Sequence, residues 1–387
     1  MKKIAIIGAN EFQNPLILKA KELGYETHVF AWKDGAIGEK TADYFYPISI
    51  IEKEQILEQC KKINPDAVAS IGSDLATITV NYVADKLGLP CNSPEITLQC
   101  TNKYEMRKAF LKEGVSVPKF IEVNENQDIK LEGFKFPVIV KPTDRSGSRG
   151  IYKCNNIEEV SKAVLNACNL SFEHKAIIEE YIEGEEYSCE CITQNGKHHF
   201  LAITKKYTTN APNFIETGHI EAEEINKKLR NIVEKEIFKG LDALKITNSA
   251  SHSEFKIDNE GNIKIIEIGA RMGGDCIGSD LVQISTGYDF LKMTLDVALG
   301  NEIEMKRNHE PKIAIIKFVF SDEDLKRLEI IKNKFSNNLF FCGDISEFNN
   351  KITDSSSRYG FFILECTSME KKKIEEELKK QGINSIF

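Results

Sequence analysis

The chain has no CxxC pair, no apolar segment long enough to cross a bilayer, no internal repeat, a single tryptophan and no excess of basic charge. Each absence removes a class of protein. The ten cysteines are scattered, and Cys189 with Cys191 has the spacing of two residues on one strand face, so neither a disulfide framework nor a zinc site is indicated. Reduced thiols in a cytoplasmic protein are the simplest account. With 51 Lys and Arg against 59 Asp and Glu, the formal charge of -8 argues against a nucleic-acid or anionic-membrane surface. Met1 to Ile7 has the lysines and short apolar run of a leader, but the run stops at Asn10 and Glu11 without a small-residue cleavage site, so a first strand is expected. The dinucleotide fingerprint GxGxxG is also missing after that strand.

What is present is enough length, 387 residues, and enough hydrophobic content, 41%, for two or three cores. Strand and helix signals alternate from the N-terminus: Lys3 to Gly8, Pro15 to Leu23, Thr27 to Ala31, Lys53 to Lys62, Ala67 to Ile71. That alternation implies right-handed crossovers and a parallel, Rossmann-like sheet. Gly8-Ala9-Asn10 stands at the end of the first strand, where such sheets bind ligands. Ser73 and Asp74 follow another strand; Asp74 either faces the same crevice or caps the helix beginning near Leu75. After Pro90 and Pro94 a smaller α+β pattern begins with a helix from Lys103 to Glu113, and a larger segment runs from Glu186 to about Gly300. Beyond Pro311 the composition restarts and ends in the charged helix Met369 to Gln381; Asp354 to Arg358 reads as a turn.

Lys141-Pro142-Thr143-Asp144-Arg145-Ser146-Gly147-Ser148-Arg149-Gly150 follows the apolar run Phe136 to Val140. A strand that delivers a lysine into a turn rich in glycine and hydroxyls suits nucleotide phosphates. Gly147 and Gly150 permit close backbone approach, Ser146 and Ser148 add donors, and successive N-H groups can form an anion-binding nest. The alternative is an ordinary surface loop.

Glu254 and Glu267 flank Asn259-Glu260-Gly261-Asn262, a turn signal between the apolar-alternating runs Phe255 to Asp258 and Ile263 to Ile268. With the turn centred on Glu260 and Gly261, Asp258 pairs with Ile263 and Glu254 stands opposite Glu267. Opposed like charges cost some tenths of a kcal/mol or more, so a compensating group is expected. A divalent ion shared with substrate phosphates is the economical one; two solvated carboxylates are the alternative. Arg271, in Ile268-Gly269-Ala270-Arg271-Met272-Gly273-Gly274-Asp275, has a planar fork suited to phosphate or carboxylate, or to a salt bridge with one of the glutamates. Between loop and hairpin, Ile178-Glu179-Glu180-Tyr181-Ile182-Glu183-Gly184-Glu185-Glu186 joins strand to strand and offers backbone groups and acids at a hinge.

These segments, in this order, resemble the ATP-grasp superfamily of carboxylate-amine ligases, and the likeness covers nearly the whole chain. The opening Gly8 to Ile17 resembles the first domain of its carbamoyl-phosphate-synthase-like and phosphoribosylglycinamide-synthetase-like branches. The resemblance implies a mixed α/β and α+β fold: a Rossmann-like domain at 1–100, an ATP-grasp domain at 101–305 with a flexible lid at about 115–183, and a small capping domain at 306–387. It implies that Lys103 and Lys141 touch ATP phosphates beneath a flap of Ser146, Gly147, Ser148, Arg149 and Gly150. Glu179 would accept from the adenine amino group, the backbone around Glu180, Tyr181 and Ile182 would read the ring edge, and Glu186 would hold the ribose. Glu254 and Glu267 would bind Mg2+, with Mn2+ as an alternative, and Arg271 would contact the reacting carboxylate or its acyl phosphate. Many relatives have asparagine two residues after the second acid, where this chain has Gly269. Phe214 to His219 resembles a substrate-side segment of amino-acid ligases, and His219 is either a substrate residue or a structural histidine. Asp74, Gly273 and Asp275 are assigned with it to the substrate side, and the 205–220 region as a whole to substrate choice.

The expected activity is ATP-dependent joining of a small carboxylic acid, an amino acid among the options, to an amine. The rivals are a bicarbonate-activating enzyme and an ATP-binding sensor without turnover. The expected partners are small molecules, with a homodimer left open and neither nucleic acid nor membrane involved.

Overall fold

The computed structural model describes residues 1–209, 214–348 and 351–387. Its first sheet is built from β1 (Lys3–Ile7), β2 (Glu26–Phe30), β3 (Tyr44–Tyr46) and β4 (Ala67–Ala69), all parallel, in the order β3-β2-β1-β4. The apolar run of β1 is continuous because both its faces are covered. Ile4 and Ile6 pack into one core, and Ala5 and Ile7 into another on the opposite side. The expected parallel sheet is therefore found, with short β3 as an added edge strand. Helix Asp74–Leu87 begins at Ser73, whose hydroxyl accepts from Ala76 N, and ends at Gly88 in the left-handed region. The strand ends of β1 and β4 lead into Gly8–Gln13 and Ser70–Asp74, at the carboxyl edge of the sheet.

A second, antiparallel sheet holds β5 (Phe120–Asn124), β6 (Val138–Pro142), β7 (Tyr152–Cys154) and β8 (Lys175–Glu180), in the order β5-β8-β6-β7. Helix Ile157–Leu170 covers one face, burying Val160, Ala163, Val164, Ala167 and Cys168, which recur at helical spacing. The two-residue period of a strand then decides which side chains reach the other face. Val138 and Val140 join the core under the helix, whereas Ile139 and Lys141 line a cleft.

The third sheet contains β9 (Glu185–Gln194), β10 (Lys197–Thr208), β11 (Glu216–Glu221), β12 (Ser249–Ile257), β13 (Ile263–Gly269), β14 (Ile313–Phe318), β15 (Leu339–Cys342) and β16 (Phe361–Cys366). Their order is β13-β12-β9-β10-β11-β14-β16-β15. Cys189 and Cys191 do share a strand face, Sγ to Sγ 3.6 Å, buried against helix Glu223–Ala243 through Val233, Ile237 and Leu241. Among the described residues, the strands of 306–387, expected as a capping unit, form no separate sheet: β14, β16 and β15 extend this one. The reason is that β14 pairs with β11 over four residues, from Gly218 opposite Lys317 to Glu221 opposite Ala314. Among the described residues, no helix is long and apolar enough to cross a membrane.

Candidate active site

The hairpin of β12 and β13 does not have the expected register at its turn. Ile257, not Asp258, stands opposite Ile263, because the Asp258 carboxylate is drawn into the turn, where it accepts from the backbone N-H groups of Glu260 and Asn262. Carried along the strand, that one-residue slip would place Glu254 opposite Ile266 and turn Glu267 to the other face. It is reversed by a bulge. Phe255 pairs with Ile265 but Glu254 pairs with Glu267, leaving Ile266 as the extra residue, so both acids share one face. Each has a cationic neighbour: Lys206 Nζ is 2.6 Å from Glu254, and Lys103 Nζ is 3.1 Å from Glu267. Burial alone would raise the Glu254 pKa; Lys206 and His252 outweigh it and hold this carboxyl well below the usual range.

Lys103 and Arg107 lie one turn apart on helix Lys103–Lys112, which starts at the Asn102 cap. With Lys141 from β6 they make a buried group of three cations. Glu179 from β8 sits between two of them, its Oε2 2.6 Å from Lys141 Nζ and its Oε1 accepting from Arg107 Nε. Burial pushes the Glu179 pKa up, but the two cations overcome this and bring it to about 2. The same burial lowers the pKa of Lys141, against the pull of Glu179. Both oxygens of Glu179 are thus committed to placing cations, which departs from its expected place at the adenine. Lys103 Nζ also donates to the Arg145 carbonyl at 2.6 Å, tying the root of the 145–150 turn to the Glu267 side. In that turn Gly147, Ser148 and Gly150 all have positive φ, and Ser148 Oγ reaches the Phe214 carbonyl at 3.4 Å.

An open cleft runs between the second and third sheets. It is lined by Asp74, Lys103, Lys141, Ser146, Gly147, Ser148, Arg149, Glu179, Glu180, Tyr181, Ile182, Glu186, Glu254, Glu267, Gly269 and Arg271, so most of the residues singled out in the sequence do converge. Four lie elsewhere. Gly150 packs beneath the turn, where a Cβ would meet Leu170 and Pro142. Gly273 gives its N-H to buried Glu190 at 2.9 Å, and a Cβ there would press on Glu190 and His252. Asp275 is held by both terminal nitrogens of Arg358, at 2.9 and 2.6 Å, and burial is outweighed by that pair, keeping its pKa low. His219 is fully buried, 3.8 Å from Asp275, and burial lowers its pKa. These four therefore sit in the packing around the cleft instead of on its wall. Of the 205–220 region, residues 210–213 lie outside the described residues.

Asp74 does not cap its helix; Ser73 does. Its carboxylate takes Nε and Nη2 of Arg271, 2.8 and 3.2 Å away, across 197 residues of sequence. Sequence reasoning missed Arg107, Glu190, Lys206, Glu216 and His252. Lys206 is buried among Glu186, Glu216 and Glu254 at 3.4, 3.7 and 2.6 Å, and their charges raise its pKa well above the ordinary value although burial opposes them. His252 bridges Glu190 and Glu254, and despite burial these acids lift its pKa to about 9. Strand alternation was the signal for two of them: Lys206 lies on the same face of β10 as Thr204, and His252 and Glu254 share a face of β12.

Among the described residues no three His, Cys, Asp or Glu side chains gather into a closed metal cage. Two opposed carboxylates at an open cleft lined by cations instead fit a hard divalent ion that takes its remaining ligands from phosphate and water. Gly269, where a side-chain donor was expected in relatives, has Arg271 and Asp74 within 3.4 Å of where its Cβ would be.

The fold and the cleft are similar to those of ATP-grasp proteins. Residues 134–280 match the family model described as an ATP-grasp domain. It is 26% identical over 301 residues to the alanine–anticapsin ligase of Bacillus subtilis strain 168, covering 68% of this chain and 63% of that protein, just under two thirds of the relative's length. Over 98% of this chain and 97% of the other, the fold matches an L-amino acid ligase from Bacillus licheniformis with a TM-score of 0.84 at 22% identity. A phosphoribosylglycinamide synthetase from Anaerococcus prevotii matches over 99% and 98%, with a TM-score of 0.75 at 23% identity.

Proposed function

We propose that this chain is an ATP- and Mg2+-dependent ligase that activates a small carboxylic acid, an amino acid being favoured, and joins it to an amine. The observation that carries the reading is the opposition of Glu254 and Glu267 in one cleft with Lys103, Lys141 and Arg271. The ligase names of the sequence relatives support it, and among them the alanine–anticapsin ligase supports an amino acid as the acid.

A carboxylate is a poor acyl donor because oxide is its leaving group. In the proposed reaction a carboxylate oxygen attacks the γ-phosphorus of ATP, the bond to the β-phosphate oxygen breaks, and ADP leaves. The amine nitrogen then attacks the acyl carbon; inorganic phosphate departs with the C–O bond electrons, and the amine proton passes to solvent or base. Mg2+ held by Glu254 and Glu267 would neutralise phosphoryl oxygens. Lys103 and Lys141 place further positive charge there, and Glu179 fixes Lys141 against the strand. Arg271, oriented by Asp74, presents its guanidinium to the acid. The backbone at Glu180 and Ile182 serves the base, and Glu186 the ribose. Closure of the 145–150 turn excludes water from the acyl phosphate.

The test is ADP formation from ATP and Mg2+ with a panel of amino acids and other small acids, each with candidate amines. Trapping with hydroxylamine should give the acyl hydroxamate, and mass measurement should identify the amide. Turnover only with bicarbonate would favour the carboxylating alternative, and tight nucleotide binding without turnover for any pairing would favour a sensor.

A further inference from the structure

We propose that Arg107 is a positioning residue that keeps Glu254 and Glu267 on one face by pinning the bulge of β13; this rests on the reading of those acids as metal ligands. β13 is the edge strand of its sheet, so its outward backbone groups have no neighbouring strand. Helix Lys103–Lys112 meets two of them. Met106 Sδ accepts from Ile268 N at 3.3 Å, and Arg107 Nη2 donates to the Ile266 carbonyl at 2.6 Å. Ile266 is the extra residue of the bulge.

The competing state is specific. The turn sets Ile257 opposite Ile263, and an unbroken ladder from there puts Glu267 opposite Ser253, facing away from Glu254. The bulge is what separates that arrangement from the observed one. Arg107 is 1% exposed, and its planar fork reaches two ways at once, through Nε to Glu179 and through Nη2 to Ile266. It thereby links the lid sheet, which carries Glu179 and Lys141, to the strand that carries Glu267. A lysine at this position keeps a charge for Glu179 but has one nitrogen in place of the two, Nε and Nη2, that Arg107 uses.

The experiment compares the full-length protein with its Arg107→Lys and Glu267→Gln variants. Mn2+ affinity is read by electron paramagnetic resonance with ADP present, ADP affinity is read separately in EDTA, and hydrogen exchange is followed in the peptide covering 263–269. For Arg107→Lys we expect Mn2+ binding weaker by about tenfold or more, as for other residues that orient metal ligands. ADP binding in EDTA should be unchanged and exchange in the hairpin faster. Unchanged Mn2+ affinity overturns the proposal. So does an equal loss of ADP binding in EDTA, which would make Arg107 a nucleotide ligand. Should Glu267→Gln bind Mn2+ as tightly as the parent, the metal reading itself fails and takes the proposal with it.

Discussion

Replacing Glu179 by Gln keeps the shape of the side chain but removes the charge that Arg107 and Lys141 share. The carboxyl is buried, with a pKa lowered from 4.5 to about 2. A folded pKa below the unfolded one contributes stability that is complete above about pH 4.5 and is lost as pH falls towards 2. A shift of that size is about 3 kcal/mol at neutral pH, which agrees with the cost of breaking a buried pair from one side, about 3–5 kcal/mol. Urea unfolding followed by circular dichroism should therefore show Glu179→Gln less stable by about 3 kcal/mol at pH 7. The gap from the parent should narrow by roughly 1 kcal/mol at pH 4 and roughly 2 at pH 3, because only the parent has this proton to take up on unfolding. A variant as stable as the parent at pH 7, or a gap that does not change with pH, refutes the reasoning. Nucleotide affinity should fall with the stability, since Lys141 loses the partner that aims it.

Glu267→Gln should abolish ATP-dependent amide formation while leaving the melting temperature close to that of the parent; full activity in the variant would sink the metal assignment. Arg271→Lys should lower kcat by about 10^2-fold, read by initial rates, because an ammonium cannot meet Asp74 and a substrate carboxylate with one planar fork. Gly184→Ala should cost more than about 1 kcal/mol in unfolding experiments, since φ is +136° and the new Cβ would lie 2.2 Å from the Ile257 carbonyl oxygen. A neutral result there would show that the 181–185 connection can move away from β12.

Strands β1, β2 and β4 of the first sheet were legible because their signals are local, whereas short β3 was not. A continuous apolar run marks β1, and β2 and β4 follow it at the spacing of strand–helix alternation. The 141–150 turn and the acid pair were legible for the same reason: glycine, hydroxyl and carboxylate positions repeat at spacings that a strand or a turn dictates. The predicted opposition of Glu254 and Glu267 was met by a different route from the one expected. The turn slipped by one residue, and a bulge that no local pattern announces restored the pair.

The partners of the buried charges could not be read this way. Arg107 and Glu179 are 72 residues apart, Asp74 and Arg271 197, and Asp275 and Arg358 83, and nothing in either local segment specifies the other. Nor does composition show that residues after 306 continue the central sheet. The chain's order of side chains settled which elements form and which chemical groups the cleft can contain, because propensity, capping and alternation act over a few residues. Which groups are paired, which acids face each other and which arginine holds a carbonyl were decided only in the tertiary structure, where burial forces each charge to find a counterpart from whichever segment packing brings near.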